Sequence, residues 1–507
     1  MTAPREPLGG RRWWLVFACL VVISGAWSLA SPPQSGHDEH SHAVRAAGAA
    51  RGQLLGPEAI DPFPVMYTQM IAVDVPEAYM LPSDCFRARP DVLPSCAPEF
   101  AGGDQLVPGF TYQFRSPPWW YVAVGLPTLV DPGLTGYLLM RLLGVALCMA
   151  VLTSALASAS RFRRPRLGIA AVMLATTPEV LYLTAHINTN GIEIIAATGL
   201  WASLLVMVRA PDAVSARLVT RAGVALTVLV GARGLSVPFA AGIVAVACLI
   251  GGWRNSRQLW RRRDVRAWTI VGLLVAGVSL VYVDHVRRWL PIHRPGQGIG
   301  DAVGRLPWYL EQAVGVFGSN EVRLPAAVLL VWVAGLLALM GIAVRRGDRR
   351  ATALALAVLA AGILVQVGAE GFAVPPIGFF WQGRYALPIL VGGPILAAAG
   401  LPARDVGRST ASDDRRLDLG VVVMVAVASG WIVSFAAAIR RYAVGTSGSS
   451  SPAKFLVDAR WSPATGPVVI HLVVAVAAVS ALLAVLVRWT GPDADARPQR
   501  SLSSATS

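Results

Sequence analysis

Long apolar runs separated by short polar connections dominate this chain. A run of about 18 or more apolar residues is what a helix needs to cross a hydrocarbon core of roughly 30 Å. Such stretches recur at 13–30, 134–158, 167–186, 192–208, 218–233, 236–252, 267–283, 325–344, 351–369, 385–401, 418–438 and 466–487. They are apolar all round rather than on one face, so they predict helices bedded in lipid or in other helices. The expected fold class is all-α and polytopic, with about 12 transmembrane helices. The halves split at Gly231–Pro238 are short and read either as a broken helix plus another or as two steeply packed helices. The first run follows Arg11-Arg12 and lacks a small-x-small cleavage site before the polar region, so it reads as a retained helix rather than a signal peptide.

Composition agrees. The 507 residues are 55% hydrophobic and only 14% charged, with mean hydropathy +0.56, where a soluble chain carries roughly a quarter charged residues. The net charge of +15 does not imply nucleic acid, because it sits in short arginine clusters between apolar runs. That pattern is a topology signal. With the N-terminus inside, most of the 44 basic residues fall in inside connections. The expectation is a multi-pass protein of the cell (plasma) membrane with both termini cytoplasmic. Three outside segments are then long: 31–117, 284–324 and 440–465. The chain divides into a cytoplasmic N-terminus 1–12, a transmembrane domain 13–440 that includes loop 31–117, a loop plus last helix 441–488, and a polar tail 489–507 expected to be disordered.

Of five cysteines, Cys19, Cys148 and Cys248 lie in apolar runs and read as packing residues. Cys85 and Cys96 lie in the long polar loop, and form a disulfide if that loop is extracytoplasmic; the alternative is two free thiols.

Four segments could carry chemistry. The first, Ser35-Gly36-His37-Asp38-Glu39-His40-Ser41-His42, sets two adjacent carboxylates at the mouth of the first helix. A carboxylate within hydrogen-bond reach of a hydroxyl serves as a general base; the plain alternative is a solvated loop with helix-start acids. The following residues, Ala43 to Leu55, read as a short interfacial helix ending near Gly52. His37, His40, His42 and Asp38 match no standard zinc spacing. The second segment, Tyr112-Gln113-Phe114-Arg115-Ser116-Pro117-Pro118-Trp119-Trp120-Tyr121, is either an interfacial anchor or a platform on which Arg115 holds a phosphate or sugar. The third runs from Thr177-Pro178-Glu179 to Asn188-Thr189-Asn190-Gly191-Ile192-Glu193. Glu179 and Glu193 fall within apolar stretches, where they either face a polar cavity or pair with Arg141 or Arg233. The fourth, Phe379-Phe380-Trp381-Gln382-Gly383-Arg384-Tyr385, puts an arginine at a helix start, where it attracts an anion or anchors at the interface.

Together these residues resemble a known family. Asp38-Glu39-x-x-His42, Gly52-Gln53-Leu54-Leu55, Pro117-Pro118-x-x-Tyr121, Asn188-x-x-Gly191-x-Glu193 and Gln382-Gly383-Arg384-Tyr385-x-x-Pro388 are similar to motifs of the bacterial membrane proteins called domain of unknown function 2142. Gly315-Val316-Phe317-Gly318 and Arg440-Arg441-Tyr442 fit as well, and the resemblance spans about 13–440. The chain departs from it at His37, where a proline is expected, and at Ser116 in place of a histidine. It also carries Thr189-Asn190 in place of Pro-Asp, which removes a carboxylate. The family in turn resembles the GT-C superfamily of integral membrane glycosyltransferases. That resemblance implies a GT-C-like fold with a large first extracytoplasmic loop, and transfer of a hexose or pentose from a polyprenyl-phosphate sugar to an envelope glycan or lipid-linked acceptor. It implies Asp38 or Glu39 as catalytic base and Arg384 with Arg115 as donor phosphate ligands. His42, Tyr121, Asn188, Glu193, Gln382 and Tyr385 become pocket residues. Arginine neutralises a lipid monophosphate leaving group, so no cofactor is required and a divalent metal is not favoured. Besides the donor and acceptor the expected partners are membrane lipids, with no nucleic acid. The competing readings are a transporter or flippase of lipid-linked sugars, which would use similar arginines but usually shows repeat symmetry, and a non-catalytic envelope-assembly protein.

Overall fold

The computed structural model describes residues 8–59, 70–81, 85–100, 103–287, 298–372, 381–403 and 418–490. The expected disordered tail after Thr490, the first seven residues and Phe379-Phe380 lie outside the described residues.

The helices are α1 (Arg11–Ala30), α2 (Glu39–Ala50), α3 (Trp119–Gly125), α4 (Leu134–Ala159), α5 (Pro165–Ala175), α6 (Pro178–Ala185), α7 (Thr189–Arg209), α8 (Ala216–Ala232), α9 (Ser236–Trp260) and α10 (Arg263–Arg287). They continue with α11 (Ile299–Gly304), α12 (Leu306–Val314), α13 (Ala326–Arg346), α14 (Arg349–Phe372), α15 (Leu387–Leu390), α16 (Gly392–Ala399), α17 (Leu419–Val444), α18 (Pro452–Val457) and α19 (Val468–Trp489). Among the described residues, nine of these are long and apolar enough to cross a membrane: α1, α4, α7, α9, α10, α13, α14, α17 and α19. The chain is a multi-pass membrane protein whose membrane part is all-helical.

The other three expected spans are helical but irregular. Segment 167–186 is the pair α5 and α6, bent by 62°. Pro178 cannot continue the helix, and Thr177 caps α6 by accepting from Val180 N–H. Segment 218–233 is the short α8 (Ala216–Ala232), separated from α9 by a connector that carries Arg233. Segment 385–401 is a short apolar helical stretch, Gly383–Ala399. α7 lies at the centre, with nearly all its residues buried against α4, α8 and α9.

The first loop folds on its own small core. Strands β1 (Glu58–Ala59), β2 (Met70–Pro76) and β3 (Leu106–Thr111) form an antiparallel sheet of order β1-β2-β3, with Ile71 opposite Thr111. Alternate residues Ile71, Val73 and Val75 are buried and share a hydrophobic core with Ala43, Ala46 and Ala47 of α2 and with Phe114 and Tyr121. The expected interfacial helix is therefore corrected. It begins earlier, at Glu39, and is enclosed by protein, because its small alanines let the sheet and α3 approach closely. Gly52 follows it at φ 82. Buried Arg45 holds the carbonyls of Gln53 and Leu54, and the Gln53 amide pairs with both backbone polar groups of Asp74.

Cys85 and Cys96 form a disulfide, with Cα atoms 6.1 Å apart. The loop it closes is clasped by Arg441 of α17, which donates to the carbonyls of Phe86, Arg89 and Val92. At the opposite ends of the helices Arg166 pairs with Asp418, and Asp348 N–H donates to the Gly400 carbonyl. The short strands β4 (Val316–Phe317) and β5 (Val322–Arg323) make a hairpin, and Tyr182 joins it to the first loop. The tyrosine hydroxyl donates to the Ser35 carbonyl and accepts from Gly318 N–H.

Candidate active site

The two adjacent carboxylates part company. Asp38 sits at φ 55, ψ 15, just before α2. This left-handed position is uncommon for a residue with a side chain, though aspartate tolerates it better than most, and it turns consecutive side chains in different directions. Glu39 enters the protein and is fully buried. Its oxygens accept from Arg141 Nε and Nη2, both at 2.7 Å, from Gly36 N–H at 3.0 Å and from Ile187 N–H at 3.1 Å. Arg141 spends its remaining N–H groups on the carbonyls of Ser28, Ser31 and Pro32. This one cluster ties the end of α1, the start of α2 and α4 together. Burial would raise the Glu39 carboxyl, but Arg141 foremost, with the Gly36 N–H, brings it down to about 2.

Asp38 keeps 33% of its side chain open. Its Oδ1 accepts from the Tyr112 hydroxyl at 2.9 Å, and its Oδ2 lies 3.7 Å from Arg384 Nη2. That is an ion-pair separation too long for a hydrogen bond. Burial pushes the Asp38 carboxyl up, but Arg384, then His42 and His40 and the Tyr112 hydrogen bond, outweigh it and bring it to about 2.

Arg384 is 2% exposed, and neither its Nε nor its Nη2 has a hydrogen-bond partner among the described residues. Gly383 permits its placement: a Cβ there would lie 1.9 Å from the Tyr309 carbonyl oxygen, and its N–H donates to the Gln312 side chain. The guanidinium stands 5.2 Å from the centre of the Tyr385 ring, and Arg233 stands over the same ring at 4.8 Å. Arg233 also donates to Asn190 Oδ1 and lies 3.8 Å from Glu193 Oε2. Of the two partners the sequence offered for Glu193, the structure therefore selects Arg233, with Ser236 donating to the other carboxylate oxygen at 2.6 Å. Glu179 takes neither offered arginine. It meets His37 Nε2 at 3.0 Å and accepts from Val316 N–H, because Arg141 is already committed to Glu39.

The remaining residues form the rim. His42 Nδ1 is 2.8 Å from the Tyr121 hydroxyl, and the two rings stack. Burial, reinforced by Arg233 and Arg384, holds the His42 imidazole near 3, neutral at ordinary pH. Burial and Arg87 do the same for His40, whose ring meets that of Tyr112 edge-on. The three histidines thus face different partners. Among the described residues no group of three or more His, Cys, Asp or Glu could hold a metal ion. Asn188 caps α7 and donates to the His37 carbonyl. Gln382 Oε1 and Arg115 Nε and Nη2 are buried without hydrogen-bond partners among the described residues. Arg115 interacts electrostatically with Tyr112, and no described contact joins it to Asp38 or Arg384. Two basic residues escaped the sequence reading of the site, Arg233 and Arg87. The sequence offered Arg233 only as a partner for Glu179 or Glu193, not as a group beside Tyr385. Arg87 reaches Tyr112 and His40 through the disulfide loop, and nothing local in the sequence signals that.

Beside this site a groove of about 740 Å³ opens between α3, α4, α7, α8 and α10. Trp119, Leu147, Val151, Val228 and Val278 are among its walls, and at Gly231 and Ala232 it abuts Arg233.

No curated protein matches this chain. The structure is similar to crystal structures of ArnT from Cupriavidus metallidurans bound to undecaprenyl phosphate (TM-score 0.47, 13% identity, covering 95% of this chain and 78% of that one) and in the apo state (TM-score 0.46, 13% identity, 94% and 77%). At these scores the likeness decides nothing about the chemistry of this chain. The family described as predicted membrane protein (DUF2142) matches over residues 20–392, well over half the chain, and the protein belongs to that family.

Proposed function

We propose that this protein is a membrane glycosyltransferase. It would move a sugar from a polyprenyl-phosphate donor to a hydroxyl of a cell-envelope acceptor on the membrane face that carries loop 31–117. The reading places that face outside the cytoplasm and both termini inside, in keeping with the arginine-rich opposite connections. The observation that carries it is the Asp38–Arg384 pair: a buried guanidinium with two nitrogens unpartnered among the described residues, beside a carboxylate that is still open. A buried charge without hydrogen bonds is costly, and a phosphate supplies them. The adjoining apolar groove suits a long hydrocarbon tail whose phosphate emerges at Arg233 and Arg384.

In the step that follows, the acceptor hydroxyl attacks the anomeric carbon. Its proton passes to Asp38 as the new C–O bond forms, and the bond from that carbon to the phosphate oxygen breaks with oxocarbenium-like character. The phosphate leaves with the electron pair and remains held by the arginines. Glu39, saturated by four hydrogen bonds, has no capacity left for this work, so the base is Asp38. Arg384 weakens Asp38 as a base in the free protein. A phosphate that engages Arg384 relieves this, so donor binding strengthens the base for the acceptor's proton.

The test is sugar transfer by the purified protein in nanodiscs supplied with polyprenyl-phosphate sugars. Wild type should transfer, and Asp38→Asn should lose on the order of 10²–10⁴-fold. Equal transfer by both removes Asp38 from the chemistry. A wild type that transfers nothing but carries lipid-linked sugars between leaflets replaces this reading with a flippase.

A further inference from the structure

A second cavity, of about 590 Å³, lies apart from Asp38 and Arg384, and of the residues described around them it shares only Ser31 and Pro32. Its walls come from the end of α1, the start of α4, the disulfide loop and residues 461–465. Phe86, Phe100 and Trp461 supply rings; Ser95, Ser462 and Glu99 supply polar groups. In a chain with 44 basic residues, none of the described residues lining this cavity is Arg, Lys or His. The volume is that of a small-molecule site, yet the described lining offers no cationic side chain to an anion.

The walls are fastened rather than merely adjacent. Arg441 clasps three carbonyls of the disulfide loop, and Thr446 N–H donates to the Pro90 carbonyl. The N–H groups of Arg460 and Trp461 both donate to the Ala443 carbonyl, and the Thr465 hydroxyl donates to the Leu29 carbonyl. Trp461 packs against Tyr442 with ring centres 6.2 Å apart. The cavity therefore persists without a ligand, which lowers the cost of binding.

We infer that this cavity is a binding site for a neutral saccharide. Aromatic faces pack against the apolar C–H faces of a sugar ring, while a carboxylate and hydroxyls take its O–H groups. A phosphorylated or otherwise anionic ligand is disfavoured by Glu99. The cavity includes Ser31 and Pro32, whose carbonyls are held by the same Arg141 that grips Glu39 beside Asp38. On the proposed function, on which only this assignment of role rests, the site holds the saccharide of the acceptor while its reacting end reaches Asp38.

The experiment is direct binding to the full-length protein in nanodiscs, without any donor. Maltotriose, cellotriose and mannotriose are titrated, and Trp461 is followed as the fluorescence difference between wild type and Trp461→Phe. At least one trisaccharide should bind saturably in the millimolar range or tighter, with an affinity that does not change between about 0.05 and 0.5 M salt. Trp461→Ala, which lacks the reporter and is therefore titrated by calorimetry alongside wild type, should weaken binding at least tenfold. Ala464→Trp, which fills the cavity from an exposed position, should do the same with thermal unfolding unchanged. Failure of all three sugars to bind, binding that survives both substitutions, or strong salt dependence overturns the inference. So does quenching of Trp461 by brominated acyl chains without saccharide binding, which marks a lipid crevice. These outcomes are read without transfer, so they are separate from failure of the proposed activity.

Discussion

Asp38 and Glu39 are neighbours in sequence, each faces an arginine, and the two pairs are built to opposite ends. In the Glu39–Arg141 pair both side chains are fully buried, and all five guanidinium N–H groups and the carboxylate have partners within 3.1 Å. In the Asp38–Arg384 pair the charges stand 3.7 Å apart without a hydrogen bond between them, the carboxylate is partly open, and two arginine nitrogens have no partner among the described residues. A pair with every partner supplied from within is structure. A pair with charge balance but missing hydrogen bonds has room for a ligand.

The largest effect should come from breaking the saturated pair. Arg141→Met leaves Glu39 charged, buried and alone, which costs about 3–5 kcal/mol. The protein should unfold at markedly lower temperature in nanodiscs and elute poorly from size exclusion. Arg384→Met removes a buried cation two of whose nitrogens have no hydrogen-bond partner among the described residues, so its unfolding temperature should stay near wild type. Equal destabilisation by the two substitutions erases the distinction.

The next effect concerns the donor. Arg384→Gln should weaken donor binding by about 1.5–3 kcal/mol, the worth of hydrogen bonds to a charged group, or on the order of 10–150-fold. Arg233→Gln should cost less, because Asn190 and Glu193 already engage that guanidinium. Donor KM, measured with acceptor saturating, reads both. If Arg233 matters more, the phosphate sits nearer the apolar groove than the Asp38–Arg384 pairing implies.

What the sequence could show follows from the range of the physics involved. Spans are local: a run such as Leu134–Ala159 declares itself by length and composition. So does the bend between α5 and α6, written in Thr177-Pro178. Asp38 and Arg384 were legible as separate charges placed beside apolar runs, and Cys85 with Cys96 as a pair in one polar loop. The division of labour between Asp38 and Glu39 was not, because it depends on which distant arginine each one meets. The left-handed backbone at Asp38 and the burial of α2 are also products of packing. The small sheet β1-β2-β3 was not anticipated: Ile71, Val73 and Val75 carry a strand alternation, but pairing it with Leu106–Thr111 joins segments far apart in the chain. Arg87 and Arg233 reach the site through a disulfide loop and a helix connector.

Acid separates the two neighbourhoods by a smaller effect. His40 and His42 are held near 3 in the folded protein, against an ordinary value near 6.5. Above about 6.5 they are neutral in both folded and unfolded chains, and their contribution to stability is complete. Between that value and about 3 the unfolded chain binds protons that the fold refuses, so stability falls as pH drops. Both carboxyls, held near 2, remain charged through most of that window. Thermal unfolding followed from pH 7 to pH 5 should therefore show a decline that His42→Gln makes shallower. A decline unchanged in the variant assigns it elsewhere.

The smallest effect belongs to Tyr112, whose hydroxyl donates to Asp38 Oδ1 at 2.9 Å and has no counterpart at Glu39. A hydrogen bond to the charged form favours that form, so Tyr112→Phe should raise the Asp38 carboxyl. Solvent at the partly open Asp38 trims the roughly 1.5–3 kcal/mol of a hydrogen bond to a charged group, so the shift should be at most about one pH unit. The acidic limb of kcat/KM should move upward by that amount, while the rate at neutral pH changes only a few-fold and unfolding temperature hardly at all. The sign separates two roles for the tyrosine. If it only positions the carboxylate, the rate falls evenly across pH and the limb stays in place. If it tunes a carboxylate that takes the acceptor's proton, the limb moves, and it moves in Tyr112→Phe without moving when Glu39 is disturbed.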